Sequence, residues 1–195
     1  MVKRQRTRAA LVEATLRIID EGGIAAVTLG EVARRAGMTK GAIYSNFRGK
    51  GELLWEAAGR RLRYVVPASR PGDTLQGHAR AAAAALMASL PQSERDAAFF
   101  SELEVYARTD PQLRALRAEN QTAVIDAITA GVEAALSERL TVAPRSLGLA
   151  LQALVRGFSA QWMQTPAEIT EEVVAAAFEA LLVGATAPAG ARTRG

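Results

Sequence analysis

The residues with the most chemistry to offer lie between Thr28 and Lys50, in the stretch TLGEVARRAGMTKGAIYSNFRGK. Their spacing reads as two short helices joined by a tight turn and followed by a lysine. Thr28 and Glu31 stand at the S/T-x-x-E separation of a capping box, which opens the first helix. Ala33 falls where two crossing helices must come close, and Gly37 where the chain must turn, with φ > 0. Thr39 is placed to cap a second helix running from Lys40 to Phe47, and Leu29, Val32, Ala36, Met38 and Ile43 are apolar at positions that pack the pair together. Such a unit is a helix-turn-helix, and its chemistry is docking: the second helix lies in the major groove of DNA.

Other elements must hold that unit in place. Thr7 to Asp20 carries Ala10, Leu11, Ala14, Leu16, Ile18 and Ile19 at amphipathic helical spacing, and Gly22 and Gly23 end it. A fourth helix is expected from Lys50, turning Leu53, Leu54, Ala57, Ala58, Leu62 and Val65 inward. It stops at Pro67, and PASRPGD (67–73) reads as a linker. Beyond it, prolines punctuate further helices: 73–90, 93–109, and a long one to about Arg139 with Asp110 as N-cap and Pro111 at its first position. Pro144 opens another, with Leu147, Leu151, Leu154, Val155, Phe158 and Trp162 on one broad face. A last helix, about 168–184, begins with the acids Glu171 and Glu172 after Thr170, well placed for the helix dipole.

The reading is therefore all-α, with about nine helices: an N-terminal three-helix DNA-binding domain (1–49), a connecting helix (50–66) and a C-terminal ligand-binding and dimerisation domain (73–184). The low-complexity end, 185–195, reads as a disordered tail.

Composition narrows the function. The chain of 195 residues is 49% hydrophobic, much of it alanine, which favours helix and supports a sizeable core. It has no cysteine and a single histidine, His78, which excludes disulfides and thiolate metal sites and argues against a zinc site. No Gly-rich phosphate loop follows a strand, so an enzyme is the weakest reading, and no cofactor is expected. There is no apolar run of membrane-spanning length and no signal-peptide pattern, so a cytoplasmic protein without a membrane partner is expected. Net charge is +4, and residues 1–63 carry 13 Lys and Arg against 6 Asp and Glu, whereas the remainder is net acidic. The positive charge thus belongs to the segment holding the helix-turn-helix, as phosphate binding requires.

On LGEVARRAGMTKGAIYSNF followed by Lys50, the chain resembles the TetR/AcrR family of transcriptional regulators. The likeness is strong over 6–63; over 73–184 it rests on helix order and on stretches such as ARTDPQLRALRAE. The resemblance implies that Thr28 donates to a phosphate, that Thr39, Lys40, Gly41, Ala42 and Tyr44 face the groove, and that Lys50 meets a phosphate at the start of the fourth helix. Small Gly41 and Ala42 let the helix sit close, and Ala42 suits a thymine methyl; Phe47 packs inside. The sequence departs from the family at RGKG (48–51), where Gly51 replaces an acid and the helix start is expected to fray. Lys3, Arg4, Arg6 and Arg8 are readable as a basic arm or a disordered tail.

A single helix-turn-helix contacts few bases, so a homodimer on a palindromic operator in double-stranded DNA is expected. The last two helices are the interface by resemblance, through Ala150, Ala153, Leu154, Gly157, Phe158, Ala177 and Leu181. A small lipophilic effector is expected in a pocket drawn from Leu86, Met87, Phe99, Phe100, Leu103, Tyr106, Trp162 and Met163. Glu102 and Glu104 interrupt that apolar run, and one of them, if buried, would favour a cationic effector. The implied function is a repressor released by that effector. The alternative is a DNA-binding protein of the same fold controlled by a protein partner, or a nucleoid or division factor.

Overall fold

A computed structural model describes residues 2–61 and 74–187. Among them are nine α-helices: α1 (Val2–Gly22), α2 (Leu29–Arg35), α3 (Lys40–Tyr44), α4 (Lys50–Arg61), α5 (Leu75–Ser89), α6 (Glu94–Thr109), α7 (Pro111–Leu136), α8 (Pro144–Trp162) and α9 (Glu171–Gly184). Two short 3-10 turns, Ile24–Ala26 and Pro166–Glu168, complete the described structure. Leu62, Val65, the 67–73 linker and the tail from 188 lie outside the described residues.

The contacts divide the chain into two bodies, and the division differs from the expected one. Residues 91–119 belong with the N-terminal segment, while 74–90 belong with the C-terminal segment. Apolar burial explains this. Phe99, Leu103 and Ala107 of α6 and Leu113 of α7 share one core with Leu11, Val12 and Ile18 of α1, Val32 of α2, Ile43 of α3 and Leu53 and Leu54 of α4. Periodicity identifies an apolar face but not the face it meets.

In this first body α1 packs against α2 and α4, and α4 against α6. Helix α1 starts at Val2, earlier than expected, so Lys3, Arg4, Arg6 and Arg8 are helical residues and not a free arm. Arg8 is held inward: its guanidinium bonds Glu56 and the Asn46 carbonyl, reaches Glu52 at 3.2 Å and lies 4.2 Å over the Phe47 ring. Arg61 closes the other end of α4, pairing with Asp20 and, at 3.0 Å, with Asp96, over the Phe99 ring.

The second body is built on α5 against α9, with α8 also packed on α9. Ala79, Ala83 and Leu86 of α5 share its core with Val174, Phe178 and Leu182 of α9 and with Ile128 and Val132 of α7. Alanines on α5 let α9 approach closely, which is what this alanine-rich stretch supplies. The chain remains ordered past Gly184: Leu140 and Thr186 form an antiparallel bridge, Thr141 N–H donates to Ala185 at 3.0 Å, and Ala187 N–H donates to Arg139 at 2.7 Å. Residues 185–187 are therefore part of the fold and not of a tail. In α8, Gln152 is 8% exposed, and its amide oxygen is buried without a hydrogen-bond partner.

Candidate nucleic-acid interface

Helices α2 and α3 form the expected unit. Thr28 caps α2, its hydroxyl accepting from Glu31 N–H at 3.2 Å. The reciprocal half of the capping box is absent, because the Glu31 carboxylate is taken by Arg34 at 2.6 and 2.8 Å and by Arg35 at 2.7 Å. These two guanidiniums, Arg34 first, pull the Glu31 carboxyl down to about 2. Gly37 makes the turn at φ +64°, where an L side chain is strained. Thr39 then caps α3 through Ala42 N–H at 3.3 Å. Val32, Ala33, Ile43 and Phe47 are buried beneath the pair.

What remains outside is the surface the sequence marks. Thr28, Thr39, Lys40 and Gly41 are exposed and Ala42 is half-buried. Tyr44 is 64% exposed although it is a large aromatic. A ring left in water on the helix that also presents Lys40 is not there for stability, since burial is where an aromatic stabilises. Thr39, Lys40, Gly41, Ala42 and Tyr44 thus come together on one short helix.

Lys50 stands differently. Its ammonium donates to the Ile24 carbonyl at 3.0 Å and lies 4.9 Å over the Tyr106 ring. Burial pushes its pKa down, against the pull of nearby Asp110. Ile24 is held at its other end too, its N–H donating to the Glu102 carboxylate at 2.6 Å. The Tyr106 hydroxyl donates to Asp110 at 3.0 Å, and burial followed by that bond pushes the phenol up to about 12. Asp110 also caps α7, accepting from Leu113 N–H at 2.8 Å. The expected fraying at Gly51 does not occur. Gly51 is buried, and a Cβ there would lie 2.8 Å from Asp110 and 3.1 Å from Leu113 N, so the glycine lets the start of α4 meet the start of α7.

The eight residues expected around an effector fall in two different cores. Phe99, Phe100, Leu103 and Tyr106 pack in the first body, where the Phe99 and Phe100 rings meet tilted with centroids 5.0 Å apart, while Leu86, Met87 and Trp162 pack in the second and Met163 is exposed. Neither Glu102 nor Glu104 supplies a buried charge: Glu102 is engaged at Ile24, and exposed Glu104 pairs with Arg117. Of the residues expected at a dimer interface, Ala153 and Gly157 are exposed, whereas Ala150 and Ala177 are intermediate. Leu154, Phe158 and Leu181 lean on their own core, Phe158 edge-on to Phe178. Sequence reading missed Leu149, Val173 and Val183, which are 48%, 47% and 54% exposed on α8 and α9.

Two short helices joined at Gly37, the second presenting Lys40 and Tyr44 to solvent, define a helix-turn-helix protein. Comparison with known proteins is specific: residues 11–57 match the family described as "Bacterial regulatory proteins, tetR family". The regulator BetI of Paraburkholderia xenovorans (strain LB400) is 32% identical over 165 residues, 79% of this chain and 80% of BetI. The regulator AcrR of Shigella flexneri is 36% identical over 77 residues, and there the match spans only 36% of the AcrR length. The crystal structure of the multidrug binding protein EbrR complexed with proflavin shares the fold at TM-score 0.60 and 21% identity, over 90% of this chain and 99% of EbrR. The chain belongs to the TetR family of transcriptional regulators. Among the described residues no helix is long and apolar enough to cross a membrane.

Proposed function

We propose that this chain is a cytoplasmic repressor that binds a palindromic operator as a homodimer and is released by a small lipophilic effector. The observation that carries the DNA half is Tyr44, solvent-exposed on α3 beside Thr39 and Lys40. In this reading Thr39, Lys40, Gly41, Ala42 and Tyr44 meet the major groove, and Thr28 donates to a phosphate from the start of α2. The dimer is supported by the exposed apolar positions Leu149, Val173 and Val183, interspersed with small Ala153 and Gly157. Large apolar side chains left in water on α8 and α9 fit an association surface. The effector half draws on EbrR, a fold relative that holds proflavin, and on the apolar second core. The effector shifts DNA binding only through unequal affinity for the two arrangements of the dimer.

The test is footprinting across the chain's own promoter region, followed by gel-shift titration with and without candidate lipophilic compounds. A protected inverted repeat whose half-sites lie about 34–36 Å apart is expected. An unprotected promoter region and a monomer in solution would remove the reading. Titration curves unmoved by every compound, with the inverted repeat protected, would favour control by a protein partner.

A further inference from the structure

We propose that α6 is a working part of the DNA-reading head, and that its Glu102 and Tyr106 are positioning residues for recognition, acting through the Ile24 backbone and the Lys50 ammonium. This rests on the reading of the chain as a DNA-binding protein. Both backbone polar groups of one residue, Ile24, are held by side chains from other helices. Ile24 lies in the 3-10 turn that carries the chain from α1 to α2, and its side chain is buried. Its N–H is gripped by Glu102 of α6 at 2.6 Å and its C=O by Lys50 of α4 at 3.0 Å.

Both grips are hydrogen bonds to charged groups, the stronger kind. The Lys50 ammonium is further steadied by the Tyr106 face, and Tyr106 is itself fixed by Asp110, the residue that caps α7. Gly23, just before the turn, sits at φ +69°, and a Cβ on it would come within 2.7 Å of the Glu102 carboxylate. The backbone there is shaped to admit that carboxylate. The turn sets where α2 begins, and α2 sets α3. Two residues of α6, far along the chain from the helix-turn-helix, therefore fix its origin.

The Lys50 ammonium has three N–H donors and its tether to Ile24 uses one, so salt dependence separates tethering from any phosphate contact it adds. Each neutralised phosphate contributes about −0.9 to the slope of log affinity against log salt. The experiment is a fluorescence-anisotropy titration of the full chain with a duplex from its own promoter region at several salt concentrations. It compares wild type with Lys50→Met, Glu102→Gln, Tyr106→Leu, the Lys50→Met/Glu102→Gln double variant, and Lys40→Ala as the reference for a lost phosphate or base contact.

The proposal expects Lys50→Met and Glu102→Gln each to weaken binding by at least about tenfold, the size of a charged hydrogen bond, with the slope unchanged in Glu102→Gln. The double variant should lose less than the product of the two single losses, since either single change already loosens the Ile24 backbone. Tyr106→Leu leaves every charge in place, so its loss of affinity at unchanged slope supports the proposal even where Lys50→Met folds poorly by circular dichroism. Glu102→Gln and Tyr106→Leu both binding like wild type, with a slope reduced by about 0.9 in Lys50→Met, would overturn it and leave Lys50 a phosphate ligand alone. Absence of binding by wild type itself would instead sink the DNA-binding reading on which it rests.

Discussion

At the scale of single residues, the junction of α4, α6 and α7 concentrates the consequences. Gly51 is buried where a Cβ would meet Asp110 and the backbone of Leu113. Backbone cannot give way as a flexible side chain can, so Gly51→Ala should destabilise the first body by about 1–3 kcal/mol, seen as an earlier urea midpoint. Tyr106 supplies a pH test. Its folded pKa is raised, from 10.0 to about 12, by burial and by the bond to Asp110. A raised pKa means that the folded state holds the proton more tightly. Stability from this source is complete below about pH 10 and is lost as pH climbs towards 12. Urea midpoints should therefore fall over that interval in wild type and fall less steeply in Tyr106→Phe.

At the scale of elements, the helix ends were legible because they are local. Thr28, Thr39, Asp110 and Thr170 each cap the helix that follows, accepting from the backbone three residues on. Pro111 and Pro144 open α7 and α8 as their fixed φ suggests. Gly37 was readable as a turn for the same reason, since its positive φ needs no distant partner. The role of Lys50 was not readable, because its acceptor is a backbone carbonyl 26 positions away and backbone carbonyls leave no mark in a sequence. Gly51 looked like a lost acid when its requirement came from α7. Gln152 likewise sits on the apolar face of α8 without a partner for its amide oxygen. A buried unpaired amide oxygen is costly, so Gln152→Leu should raise stability by about 1–2 kcal/mol, measurable as a later thermal midpoint.

At the scale of the molecule, helix count and order followed from composition and punctuation, but the partition into bodies did not. An amphipathic face is indifferent to which neighbour covers it. α6 reads as readily into a C-terminal domain as into the N-terminal core where Phe99 and Leu103 are buried. The same indifference left the proposed association surface half seen: small Ala153 and Gly157 are readable in the sequence, and the exposure of Leu149, Val173 and Val183 is not. Leu149→Arg places a charge at an exposed position, so the subunit fold should survive, with unchanged far-ultraviolet dichroism. Light scattering should show a shift towards monomer, and affinity for the promoter duplex should drop by at least about tenfold.

The antiparallel bridge between Leu140 and Thr186 has a practical corollary. It stitches the far end of α9 to the turn after α7, with Ala185 and Thr186 buried in the seam. A shortened gene product or a fused affinity handle must leave this seam whole, with its junction placed after Ala187. A stop codon at Ala185 would unzip the seam and free the last turn of the final helix to fray.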